Sequence, residues 1–307
     1  MVDLISVRGA VDLHCHPYPD LFPRIADDIA VVEHARQMGL RAILLKCHVE
    51  STVSRAYLLR KFIPGIEVFG GVVLNTYVGG LNPAAVEACL RLGGKEVWMP
   101  TIDAWYHGQV HGRTGAYDVQ SGGRNAGPGI TVLDEVGKLK SEVYEILDLI
   151  AKYDVILGTC HLSPTEIYVL VREACSRGVR KILITHPFFK VPRLSLDQLE
   201  ELVKMGAYAE FGYCTVSPMW GYATIGQKVE AIKRLGASRC VLMSDTGQRH
   251  NPMPAEALRI FAQCLYEAGI AEDEIYTMIV RNPAELLGLE PTEAESRIEP
   301  KAVQANP

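Results

Sequence analysis

The chain has 307 residues, 48% of them hydrophobic and 22% charged, with 31 basic against 36 acidic side chains and a formal net charge of −5. Such a length buries a sizeable core without disulfide or metal staples, and the acidic balance with no dense Lys/Arg run excludes a phosphate-backbone or anionic-membrane footprint. No stretch approaches the roughly 18 uninterrupted apolar residues of a membrane span. Met1–Gly9 carries Asp3 and Arg8 where a signal peptide needs an apolar core. The eight cysteines form no CxxC pair, so reduced thiols in the cytoplasm are expected.

Eight short apolar runs predict strands: Val11–His16, Arg41–His48, Glu67–Asn75, Glu96–Asp103, Asp154–Leu162, Lys181–His186, Ala207–Cys214 and Cys240–Asp245. Between them lie segments of helical period: Arg24–Met38, Glu142–Lys152, Thr165–Arg177, Leu196–Lys204, Gln227–Leu235 and Ala255–Ala268. Most strands follow a glycine such as Gly39, Gly178, Gly206 or Gly236, which suits a helix C-cap. Strands alternating with helices argue an α/β fold with a parallel sheet. Eight such units fit a (β/α)8 TIM barrel over residues 1–289, followed by a surface tail at 290–307. A doubly wound sheet is the structural alternative, but no glycine-rich dinucleotide turn follows the first strand.

The rhythm breaks once, in a long loop after strand 4 between Asp103 and about Val136, which holds His107, His111, Arg113 and Arg124. A loop of that length in a barrel is expected over the mouth, where chemistry is kept.

Histidine placement carries the functional argument. Of nine histidines, His14, His16, His48, His161 and His186 close strands, His107, His111 and His250 follow strands, and His34 alone belongs to a helix. Strand C-termini converge on one barrel face, so eight imidazoles are expected at one mouth, and imidazole is the commonest metal ligand. In Asp12-Leu13-His14-Cys15-His16, strand alternation puts both imidazoles on one side and Cys15 on the other. Alone, His-x-His is a weak signal. The same alternation turns Cys47 and Cys160 toward the strand–helix layer, as small hydrophobes.

A His-x-His on strand 1, His161 on strand 5, His186 on strand 6 and Asp245 on strand 8 together resemble the amidohydrolase superfamily, across Val11 to Asp245. The stretches Asp-Leu-His-Cys-His-Pro and Gly158-Thr159-Cys160-His161-Leu162-Ser163 look like a branch of it with no named substrate. The resemblance implies a metal-dependent hydrolase, with one or two divalent cations per chain, zinc first and manganese or iron next. His14 and His16 would hold one cation with Asp245, and His161 with His186 a second or the same one. Asp245 would also take a proton from a metal-activated water, which a cation acidifies toward neutrality. The substrate expected is a small molecule cleaved at an amide, cyclic amide or lactone bond.

One departure concerns the bridging lysine or glutamate that two-metal members carry on strand 4. The run Glu96-Val97-Trp98-Met99-Pro100-Thr101-Ile102-Asp103 offers neither near its end. Lys46 on strand 2 is the substitute, either carboxylated as a bridging metal ligand or unmodified and paired with Asp245 or an anionic substrate. Asp103 is a weaker bridging candidate. Substrate contacts are expected from His48, His107, His111, Arg113, Arg124, Tyr213 and Arg249, the arginines gripping a carboxylate or phosphate. Glu210 reads as a buried structural acid.

Other chemistries on the same ligands are phosphoester hydrolysis and a metal-dependent decarboxylase or lyase step. Serine catalysis is disfavoured, since no Gly-x-Ser-x-Gly is present. A non-catalytic binding barrel would not require this set of ligands. Partners expected are a small-molecule substrate, with no nucleic acid and no membrane; a homo-oligomer stays open.

Overall fold

Eight parallel strands lie in one sheet in the order β1 to β8: Val11–Cys15, Ala42–Leu45, Glu67–Val73, Glu96–Trp98, Ile156–Gly158, Ile182–Thr185, Tyr208–Gly212 and Cys240–Met243. The computed structural model describes residues 4–118, 122–125 and 127–290; of the tail read at 290–307, all but the first residue lies outside that set. Each strand pairs with its neighbour in sequence. The seam between β8 and β1 closes through Asp245 N to His14 O at 2.9 Å and His16 N to Thr246 O at 2.8 Å. The result is a (β/α)8 TIM barrel.

The strands are apolar on both faces because both faces are covered. Val11, Leu13, Leu44, Phe69, Trp98, Ile156 and Leu183 fill the interior. Cys15, Ile43, Leu45, Val68, Val97, Leu157, Ile184 and Phe211 pack outward on helices. The helices are α1 (Asp28–Gln37), α2 (Val53–Phe62), α3 (Pro83–Arg91), α4 (Trp105–His111), α5 (Ser141–Tyr153), α6 (Pro164–Ser176), α7 (Leu196–Lys204), α8 (Ile225–Leu235), α9 (Pro254–Glu267), α10 (Glu272–Tyr276) and α11 (Asn282–Leu287). Ala284, Leu286 and Leu287 of α11 join the interior cluster, so the last helix plugs the end where strands begin and leaves the other end as the approach. Among the described residues no helix is long and apolar enough to cross a membrane.

The sequence-based helix Arg24–Met38 starts late, because Asp27 is its N-cap and accepts from Ala30 N at 2.8 Å. Arg24 is thereby left in the β1–α1 connection. The expected long loop contains α4, so His107 and His111 are helical rather than loop residues. Ser163 and Glu166 form a reciprocal capping box with Pro164 at the first turn, which starts α6 just beyond His161. Glu166 Oε1 also accepts from Thr131 Oγ1 at 2.6 Å and Val132 N at 3.1 Å, fastening the far end of the strand-4 connection over β5.

Candidate metal centre

The mouth at the strand C-termini gathers around one cavity five of the eight histidines expected there. His14, His16, His48, His161 and His186 are all buried around one cavity, with Lys46 and Asp245. Nε2 of His14 and of His16 lie 3.3 Å and 3.4 Å from the same Asp245 Oδ1. One ligand atom from each of these three residues lies within 4.8 Å of the other two. The rings of His161 and His186 are 5.1 Å apart by centroid, and His186 is 6.2 Å from His14. They border the triad without joining its tight group.

Local backbone explains the convergence. A register shift between Asp12 and Cys15 interrupts the β1–β2 ladder, so both His14 and His16 reach the mouth after Leu13 has filled the interior. Asp12 Oδ1 accepts from Ser244 N at 3.0 Å and His14 N at 3.2 Å, strapping β1 to the end of β8. Gly247 has φ +147°, and a Cβ there would lie 1.8 Å from His16 O; a side chain would displace the His-x-His backbone. Cys160, His186 and Asp245 have φ of 51°, 32° and 50°, left-handed conformations that non-glycine residues rarely take. Such strain clusters at functional sites.

The turn at Cys160 corrects one expectation. Cys160 does not face the helices: it joins the interior cluster, and Lys46 Nζ is 3.6 Å from its Sγ. The left-handed residue breaks strand alternation, so Cys160 and His161 both serve the inside. Cys15 does face outward, as alternation requires. All eight cysteines are free.

Burial sets the electrostatics. Desolvation, then the charge of Lys46, holds His14 well below the usual imidazole range, and His16, His48 and His161 are lowered by the same dominant cause. His186 is pushed down to about 3. These imidazoles are neutral and carry lone pairs. Burial raises Asp245 to about 7, opposed by Lys46 and Arg24. Below the triad lie Glu210, raised to about 8, and Glu96, raised well above the carboxylate range, both by desolvation. Lys46 sits above them, its ammonium 5.1 Å from the Trp98 ring centroid, and lowers Glu96, Glu210 and Asp245 alike. Glu210 Oε2 is 3.7 Å from His14 Nδ1.

Donor and acceptor counting fixes two tautomers. His107 Nε2 lies 2.7 Å from Ala116 O, an acceptor only, and therefore carries the hydrogen. Burial pushes His107 down to about 3, so the ring is neutral and its Nδ1 is bare. His161 Nδ1, 2.8 Å away, must then donate to it, leaving His161 Nε2 with a free lone pair. His48 is set the other way. Asn75 Oδ1 accepts from Thr101 N at 2.9 Å, so its Nδ2 donates, to Thr101 Oγ1 at 2.7 Å. The Thr101 hydroxyl then donates to His48 Nδ1 at 2.9 Å, and His48 Nε2 bears the hydrogen.

The remaining predicted residues scatter. His111 packs on His107 at 4.5 Å and bonds Asp118 at 2.9 Å, one layer behind the cavity. Arg113 and Arg124 are exposed and line no part of it. Arg249 is exposed on a neighbouring groove, Tyr213 packs half-buried against the outer core, and His250 reaches Trp220 at 5.9 Å. Asp103 is buried away from the cavity and accepts from Thr76 N at 2.9 Å. Arg24, Tyr117, Phe189 and Trp220 line the cavity without having been singled out from sequence. Tyr117 is ringed by His48, His107, His161, Phe22 and Trp220.

Comparison with known proteins agrees with the fold. No curated protein matches the chain. Among solved structures, it is similar to an amidohydrolase from Pseudomonas aeruginosa at 13% identity and TM-score 0.59, covering 91% of this chain and 95% of that one. An organophosphorus hydrolase from Deinococcus radiodurans matches at 14% and 0.55, covering 94% and 98%. A 2,6-dihydroxybenzoate decarboxylase from Rhizobium matches at 12% and 0.55, covering 92% and 99%. The likeness to these structures is one of fold, over nearly the whole length of each chain. The profile of a family described as of unknown function (DUF6282) matches residues 9–210, which takes in every strand-end histidine and stops before Asp245. The chain belongs to that family, DUF6282, on a (β/α)8 barrel.

Proposed function

We propose that this barrel is a metal-dependent hydrolase that cleaves an amide, cyclic amide or lactone bond in a small molecule. The observation that carries the reading is the buried triad of His14, His16 and Asp245, whose ligand atoms converge at the mouth. Two neutral imidazole nitrogens and one carboxylate oxygen are a donor set that suits zinc, with manganese or iron as alternatives. Nδ1 of both histidines has no hydrogen-bond partner among the described residues, so it can carry the ring hydrogen and leave the converging Nε2 bare. His161 adds a bare Nε2 from the end of β5, across the mouth, and His186 flanks it. One tight triad favours a single cation.

A divalent cation there supplies acidification of water toward neutral pH. Asp245 orients the attacking water and takes up its proton, its carboxyl standing at the mouth within 3.3–3.4 Å of both imidazoles. His48 turns its Nε2–H toward the cavity as a donor to bound substrate. Tyr117, Phe189 and Trp220 exclude bulk water. Lys46 serves as an unmodified ammonium that counters Glu96, Glu210 and Asp245; a carboxylated Lys46 would press a further anion against those buried acids.

A decarboxylase or lyase on the same ligands is the second reading, favoured by the single triad and by the decarboxylase among the fold neighbours. Phosphoester hydrolysis loses support because the loop arginines stand away from the cavity. The test is a panel of N-acyl amino acids, cyclic imides and lactones with zinc-loaded protein. Turnover removed by chelation and by Asp245→Asn supports hydrolysis. Carbon dioxide release from aromatic or β-keto acids, with no hydrolysis anywhere on the panel, overturns it in favour of the second reading.

A further inference from the structure

Arg24 is a buried guanidinium held by one edge, with the other edge unused. Its Nε and Nη2 both donate to Asp20 Oδ2, at 3.0 Å and 2.6 Å. The Asp20 side chain is itself fully buried and its Oδ1 accepts from Phe22 N at 3.2 Å. The guanidinium carbon lies 5.7 Å from the centroid of the Phe22 ring. These contacts fix the plane of the group. They leave Nη1 without a protein partner among the described residues, while Arg24 lines the cavity.

The cavity beside it is rich in donors of the same sense. Lys46 lines it, and His48 presents Nε2–H by the tautomer derived above. The Phe22 ring beside the guanidinium packs on His48 with centroids 5.6 Å apart, so Arg24 approaches the cavity from the His48 side. Asp20 neutralises Arg24 as a pair, which makes the free edge a directional donor rather than a diffuse attraction for any anion.

We infer that the substrate carries a carboxylate, which Arg24 Nη1 and the His48 Nε2–H receive next to the His14–His16–Asp245 triad. A carboxylate rather than a phosphate dianion fits the charge: Asp20 already neutralises Arg24 and Lys46 already faces the carboxyl of Asp245, so the cavity offers directional donors with little excess positive charge. This assignment rests on the reading of the triad as the catalytic centre, and it narrows the substrate class to small carboxylic acids and their derivatives.

The test titrates zinc-loaded protein with paired probes, benzoate against benzamide and glutarate against glutaramide, with inorganic phosphate as a third arm and zinc content measured on every sample. Wild-type protein is expected to bind at least one carboxylate and neither amide. Arg24→Gln is expected to weaken that binding by about 10–100-fold, the loss of a charge-assisted hydrogen bond, with zinc content unchanged. Arg24→Lys, which keeps the charge without the fork, should recover part of it. The acid–amide comparison is made on wild-type protein and so does not depend on how the variants fold. Equal affinity for acid and amide, no carboxylate bound, phosphate bound in their place, or Arg24→Gln binding as tightly as wild type would each overturn the inference. Failure of wild-type protein to take up zinc would instead overturn the metal-centre reading on which it rests.

Discussion

Replacing His107 by Phe removes both hydrogen bonds of a buried relay. His107 Nε2–H donates to Ala116 O at 2.7 Å and its Nδ1 accepts from His161 Nδ1–H at 2.8 Å, within a fully buried stack whose ring centroids are 4.9 Å apart. Phe keeps much of the stack but orphans two polar groups, each worth roughly 1–3 kcal/mol, so the fold should lose about 2–6 kcal/mol. The more telling consequence falls on His161. Freed of its acceptor, the ring is no longer held to the tautomer with bare Nε2, and losing such an outer partner typically costs 10–100-fold in metal affinity. His107→Gln offers an amide that can donate and accept, and should restore part of both losses. Competition with a chelator of known zinc affinity gives the first quantity, and guanidinium unfolding of metal-free protein gives the second. Zinc affinity within twofold of wild type in the Phe variant, with stability reduced, would refute the relay and leave His107 a packing residue.

Three further outcomes follow from the same geometry. Asp245→Asn should abolish turnover and weaken metal binding while circular dichroism stays near wild type and metal-free protein at neutral pH is no less stable; retained turnover contradicts its proton role. Zinc affinity should fall about tenfold per pH unit below 7 and level off above it, because a cation must displace the proton that burial keeps on Asp245 up to about 7; a pH-independent affinity from pH 5 to 8 would contradict this. In metal-free protein that raised carboxyl has the opposite sense: it costs nothing below its ordinary 3.8 and costs stability as the pH rises toward 7. Lys46→Met should keep one equivalent of zinc and push the Glu210 carboxyl further above about 8, because Lys46 is what lowers it against burial, a shift readable by carboxyl titration in nuclear magnetic resonance; loss of the metal instead would make Lys46 a ligand.

The barrel was legible because parallel strands buried on both faces read as apolar runs, and each of the eight expected runs contains a strand. Strand-end histidines were legible for the same reason, since the C-terminal ends of parallel strands share one mouth. Residues placed by turns were not. Cys160 changes side through a left-handed backbone that alternation cannot foresee, and Arg24 hides at the edge of a helical pattern that Asp27 caps three residues later. The one available signal for Arg24 was the Asp20 four residues before it, a spacing that pairs them outside the helix. Arg113 and Arg124 attracted attention through charge in a glycine-rich segment, yet their chain runs over the outside. Tyr117 lies in the same segment and reaches the cavity, and nothing in its sequence neighbours separates it from them.

The metal content of protein purified without added metal or chelator tests the central claim most directly, with His14→Ala purified in parallel. The account predicts close to one equivalent of zinc, manganese or iron per chain, lost in the variant. Protein that holds no divalent cation even after reconstitution, or a His14→Ala variant that keeps its full complement, would contradict it.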